Sequence, residues 1–96
     1  MQIEKKDGKM TVTGLIKTIE DSTHFKEEMY SLLNTTTKTL AIHITDSFIV
    51  TSSIIGTMLK AVNVDKAKLT VYVYQDDLYT LFDQLKLVDL LNIKKI

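Results

Sequence analysis

The chain has no cysteine, no proline, no tryptophan and only three glycines among its 96 residues. Without cysteine there are no disulfides, and with His24 and His43 as the two histidines a structural zinc site has too few soft ligands. No metal and no cofactor is therefore expected. The absence of proline and scarcity of glycine speak against a flexible linker, so residues 1–96 read as one domain, which buries about 60 to 65% of its unfolded surface. Nothing approaches the apolar run of about 20 residues that a membrane helix requires, so no direct membrane insertion is expected. The start, Met1-Gln2-Ile3-Glu4-Lys5-Lys6, lacks the apolar segment of a secretory signal, which points to a cytoplasmic protein. Arginine is also missing, and the twelve lysines are balanced by twelve acids. A net charge of zero supplies no field to attract nucleic acid or an anionic membrane, and no nucleic-acid partner is expected. Lack of arginine's bidentate fork argues the same way against a phosphoryl-binding site, although a compositional bias of the source genome explains it equally well.

What is present is hydrophobic patterning. Asp7-Gly8, flanked by Ile3 on one side and by Met10 and Val12 on the other, is a two-residue hairpin signal. Asp21, Ser22 and Thr23 offer caps for a helix carrying Phe25, Met29, Leu32 and Leu33, which the polar run 34–38 ends. Leu40, Ile42 and Ile44 alternate as in a strand, as do Leu69, Val71 and Val73; between them Ile55, Met58, Leu59 and Val62 make a helical stripe. Gln75, Asp76 and Asp77 can cap a third helix with Leu78, Leu81, Phe82 and Leu85, and residues 92–96 read as a short edge strand. The expected fold class is α/β. A mixed sheet opens with a β-hairpin, continues as β-α-β-α(-β) with parallel strands and right-handed crossovers, and has helices packed on at least one face.

No arrangement of catalytic groups stands out. His43 lies on the strand face opposite Ile42 and Ile44, where a half-exposed or hydrogen-bonded ring is the ordinary reading rather than a general base. Gly8, Gly14 and Gly56 are too far apart for a phosphate loop, and no G-x-S-x-G elbow surrounds Ser52 or Ser53. Tyr72 and Tyr74 share one sheet face. Packing in the core or at the rim suits them better than stacking on bases, which normally goes with a basic surround. The informative stretch is His43-Ile44-Thr45-Asp46-Ser47-Phe48-Ile49-Val50-Thr51-Ser52-Ser53-Ile54-Ile55-Gly56, which sets adjacent serines between a strand and a helix. Hydroxyls there serve as a helix cap, worth about 1 kcal/mol, or as a phosphate acceptor beside the positive end of a helix. Both readings stand on sequence alone.

The same stretch resembles the STAS domain family, the sulfate-transporter and anti-sigma-factor-antagonist modules. The family pattern of Asp-Leu-Ser followed by Ser-Ser-Gly-Leu-Gly falls on His43-Ile44-Thr45 and Ser52-Ser53-Ile54-Ile55-Gly56. Thr13 and Gly14 resemble its earlier Thr-Gly, and the ending Leu85-Lys86-Leu87-Val88-Asp89-Leu90-Leu91 is similar to its closing region. The resemblance implies a non-enzymatic interaction module that acts by partner switching in bacterial signal transduction. It would bind an anti-sigma-type serine kinase, become phosphorylated at Ser52 and then release it. Phe48, Thr51, Ser53, Ile54 and Thr57 are the expected partner contacts. Three residues depart from the pattern: Thr51 stands where the family has an acid, Ile54 where it has glycine, and His43 where it has aspartate. Ile54 in particular would put a branched side chain where a partner's backbone approaches. These departures favour an alternative, a constitutive STAS-like subunit of a larger complex, for example a lipid ABC transporter, without phosphorylation. An enzyme or nucleotide-binding role would rest only on the general preference of α/β crevices for ligands.

Overall fold

Asp7 and Gly8 both have positive φ, 51° and 75°, as the hairpin turn whose twist matches its strands requires. They join β1 (Gln2–Lys6) to β2 (Lys9–Thr13), with Gln2 opposite Thr13 and Lys6 opposite Lys9. The computed structural model describes residues 1–35 and 38–96. Within them follow α1 (Ile19–Thr35), β3 (Thr39–Ile44), α2 (Ser52–Asn63), β4 (Lys68–Val73), α3 (Asp76–Gln84) and β5 (Ile93–Lys95). The five strands lie in chain order in one mixed sheet, β1 antiparallel to β2 and every later neighbour parallel. This is the α/β architecture that the alternation of periods implies.

Each parallel step passes through a helix and moves one strand in the same direction, so right-handed crossovers place all three helices on one face. Burial follows that rule. Met10 and Val12, Leu40, Ile42 and Ile44, and Leu69, Val71 and Val73 are buried beneath Phe25, Met29 and Leu33 of α1, Ile54, Met58 and Ala61 of α2, and Leu78 and Phe82 of α3. Their strand neighbours Thr11, Ala41, His43, Thr70 and Tyr72 are only half-buried, because among the described residues no helix covers the opposite face. Tyr72 and Tyr74 thus stand on the bare face of the sheet rather than under a helix.

Local corrections come from competing caps. Helix α1 starts before the expected Asp21, because Thr18 caps it: the Thr18 hydroxyl accepts the Asp21 N–H at 3.0 Å. The Asp21 carboxylate accepts the Thr18 N–H at 3.1 Å and the Lys17 N–H at 2.9 Å, a reciprocal box in which those backbone donors hold the carboxyl below its usual range. Ser22, an expected cap, lies within the helix and is buried. The buried stripe of α2 runs through Ile54, Met58 and Ala61; of the expected Ile55, Met58, Leu59 and Val62, Met58 is buried and the other three are half-buried beside it. Gln75 occupies the N-cap of α3 without a side-chain cap bond; its amide donates instead to the Thr45 carbonyl at 3.3 Å. Leu85, expected on the buried stripe of α3, ends that helix and is exposed. Of the polar run expected to end α1, residues 36–37 lie outside the described part.

The one-sided sheet makes a direct prediction. Ile42→Ala should lower unfolding free energy by about 2 to 5 kcal/mol, whereas Thr11→Ala on the bare face should change it by about 0.5 kcal/mol or less. Urea unfolding followed by circular dichroism checks both; similar losses would mean that both faces are packed.

Candidate functional site

The β2–α1 and β3–α2 loops lie side by side at the carboxyl ends of the parallel strands, and polar side chains lock one to the other. Ser47 is fully buried, its Oγ accepting the Ile16 N–H at 3.1 Å and donating to the Ile49 carbonyl at 2.6 Å. The Asp46 carboxylate accepts the Gly14 N–H at 2.8 Å. Gly14 has a φ of 82°, and a Cβ there would lie 3.2 Å from the Met1 Cα, so both conformation and space favour glycine. Thr45 continues the linkage, its hydroxyl donating to the Val12 carbonyl at 3.1 Å. The loop over residues 45–51 is therefore pinned by backbone groups of its neighbour, satisfying donors that burial would otherwise leave orphaned.

This framework decides which hydroxyl caps α2. Thr51 has extended backbone, φ −79° and ψ 155°, and its Oγ1 accepts the Ile54 N–H at 3.2 Å. The same oxygen lies 2.7 Å from Oγ of the buried Ser22, which is within 3.3 Å of the Thr18 carbonyl. The two hydroxyls can thus form a relay in which Thr51 donates to Ser22 and Ser22 to Thr18, tying the mouths of α1 and α2 together. The capping task falls to Thr51. Ser52 and Ser53, in the first turn, are exposed, and among the described residues no side-chain hydrogen bond engages either hydroxyl.

The electrostatics of the mouth also differ from those of the other helices. The first turn of α1 holds Glu20 and Asp21 and that of α3 holds Asp76 and Asp77, but α2 has no acid in its first turn. Its positive end is the one that side-chain charge leaves uncompensated. The adjoining segments also expose apolar side chains among polar ones: Phe48 and Ile49, in the loop that leads into α2, are 46% and 41% exposed, and Ile19, one turn before Ser22, is 82% exposed.

The candidate contacts divide accordingly. Phe48, in the loop before α2, and Ser53, in its first turn, are exposed, and Thr57, in the second turn, is half-buried, so all three are open to solvent to some degree. Ile54 is not: it is fully buried in the core, facing inward from the first turn of α2, and cannot meet a partner. An isoleucine at this place adds to the core instead of blocking an approach. The half-buried Thr51 is engaged by the cap and by Ser22, so its side chain serves the fold. Sequence reading offered Ser22 only as a cap of its own helix and gave Ser47 no role; a lone serine gives no sign of which distant group it will bind.

His43 is not wired to this mouth. Its Nδ1 lies 2.9 Å from the Tyr74 hydroxyl, and its ring stacks on Tyr72 with centroids 4.5 Å apart. Partial burial, aided by the Lys9 charge, lowers its pKa from the ordinary 6.5, so the ring is neutral at pH 7. Charging it costs native stability as pH falls below 6.5, since the unfolded chain then binds the proton more readily. Among the described residues no three potential metal ligands cluster, and no helix is long and apolar enough to cross a membrane.

Scanned against protein-family models the chain matches none, and no curated protein matches it by sequence.

If Thr51 is the cap, Thr51→Ala should cost about 1 kcal/mol or more, because it also removes a partner of buried Ser22, while Ser52→Ala and Ser53→Ala each change stability by about 0.5 kcal/mol or less. Urea midpoints of the three variants provide the comparison.

Proposed function

We propose that this chain is a cytoplasmic, non-enzymatic protein-interaction module of the anti-sigma-antagonist type. It engages a regulatory partner resembling a serine kinase through the mouth of α2 and is switched by phosphorylation at Ser52. The observation that carries this reading is the division of labour at that mouth. Thr51 holds the cap, so Ser52 is exposed and its hydroxyl makes no hydrogen bond among the described residues. A phosphoserine adds about −1.5 to −2 charges and three acceptor oxygens. The acid-free first turn of α2 favours that charge, whereas an apolar partner surface seated on Phe48, Ile49 and Ile19 rejects it. Modification would then release the partner while leaving the domain folded. The resemblance of residues 43–56 to the STAS pattern supports the same reading, and the inward placement of Ile54 removes one objection to it.

The apolar character of Ile19, Phe48 and Ile49 also suits a second reading, a constitutive STAS-like subunit of a larger complex such as a lipid ABC transporter, since permanent interfaces are the more hydrophobic ones. In that case the serines take no part.

A pull-down from source lysate separates the two, with wild type, Ser52→Ala, Ser52→Asp and Phe48→Ala as parallel baits. For the switch, Ser52→Asp should lose a partner that Ser52→Ala retains, by about tenfold or more, and Phe48→Ala should lose it in both states. A stoichiometric partner kept equally by both Ser52 variants and lost by Phe48→Ala would establish the constitutive subunit.

A further inference from the structure

The net charge of zero averages two unlike faces. Strand register places Lys6, Lys9, Lys68 and Lys94 on the bare face of the sheet, with Glu4 the one acid among its described strand residues and Asp7 at the hairpin tip. Lys6 and Lys9 stand directly opposite each other, a like-charge pairing that weakens a hairpin. They border an open depression shared with Glu4, Asp7 and Thr11. Lysines that turn toward the helices are paired, Lys5 with Glu28 at 2.7 Å and Lys95 with Asp76 at 3.1 Å. Among the described residues, none of the four on the bare face has an acidic partner within salt-bridge distance.

Aromatic rings stand beside these lysines, in the row of Lys94 and on the carboxyl-end side of Lys9 and Lys68. One row across the sheet reads Glu4, Thr11, His43, Tyr72, Lys94. His43 and Tyr72 are stacked, and the Tyr74 hydroxyl holds the imidazole from the side at 2.9 Å. We propose that this face binds single-stranded nucleic acid, with phosphates on Lys9, Lys68 and Lys94 and a base packed against the half-buried His43–Tyr72 pair. An unpaired base presents its π-face to such rings, whereas a duplex keeps its bases stacked inside. Without arginine the phosphate contacts are point charges, so binding is salt-sensitive and indifferent to sequence. A second copy of the chain fits poorly, because a two-fold contact would set these lysines against one another. An acidic peptide would meet the lysines, but its carboxylates offer no extended π-face to stack on the rings as a base does. The aromatic pair and the serine mouth use different residues, so this inference stands apart from the protein-interaction reading.

The test uses the full chain and fluorescein-labelled oligo(dT) and oligo(U) of about 12 nucleotides, with a duplex of equal length for comparison, followed by fluorescence anisotropy. The single strands should bind, and the plot of log affinity against log salt should fall with a slope of about −2 to −3, that of three or four phosphate contacts. Tyr72→Ala and the pair Lys68→Glu/Lys94→Glu should each weaken binding about tenfold or more, and the duplex should bind correspondingly less well. Ser52→Asp should leave binding unchanged. Urea midpoints confirm that the bare-face variants remain folded, and Lys68→Gln/Lys94→Gln, giving an intermediate loss, guards against an effect of the new acids. No saturable binding at about 100 µM protein in low salt would overturn the proposal. So would affinity untouched by the lysine changes, equal affinity for the duplex, or a self-association, seen by sedimentation, that Tyr72→Ala abolishes.

Discussion

Everything in this molecule follows from the one-way progress of its parallel strands. From β2 to β5 each strand is laid beside its predecessor, and each crossover carries a helix, so the handedness of the connection sends every helix to the same side. Two consequences are inseparable from this. The strand-to-helix loops collect at one edge, where the mouths of α1 and α2 meet through Ser22 and Thr51. The other face of the sheet stays uncovered, and its residues answer to solvent and ligands instead of to a core.

At the loop edge, the fold spends buried hydroxyls on order and leaves exposed ones unused. Ser47 and Ser22 are nearly or completely inaccessible and act as joints between backbone segments. Thr51 is the cap. Ser52 and Ser53 then occupy helical positions with hydroxyls that make no hydrogen bond among the described residues, so their side-chain chemistry can change while the architecture stays the same. A phosphate on Ser52 would sit beside backbone N–H groups and a positive helix end. This is the physical basis on which a phosphorylation switch is proposed, and it does not depend on an acid preceding the serine.

Much of the fold was legible in the sequence because hydrophobic period is a local signal. The Asp7-Gly8 turn, the alternations through Leu40, Ile42, Ile44 and through Leu69, Val71, Val73, and the order of elements are all found where patterning put them. Less legible were features that depend on residues far apart in sequence. Three hydroxyl residues in a row, Thr51 to Ser53, are equivalent as candidate caps until Ser22, 29 positions away, selects Thr51. On α2 Met58 is buried as expected, but Ile54 rather than Ile55 faces the core, since the two are equally apolar and only packing against the sheet distinguishes them. The charge asymmetry was hidden for the same reason: composition reports a sum of zero, and only strand register shows which lysines share a face.

The central claim is that the fold tolerates negative charge at Ser52 because that residue bears no structural load. Installing phosphoserine at Ser52 during synthesis and measuring urea unfolding beside the unmodified chain tests it most directly. The account predicts a stability equal to that of the unmodified protein or higher by up to about 1 kcal/mol, with amide shifts confined to the first turn of α2 and the adjoining loop. A loss of more than about 1 kcal/mol, or shifts spreading through the Ile54 and Met58 core, would contradict it.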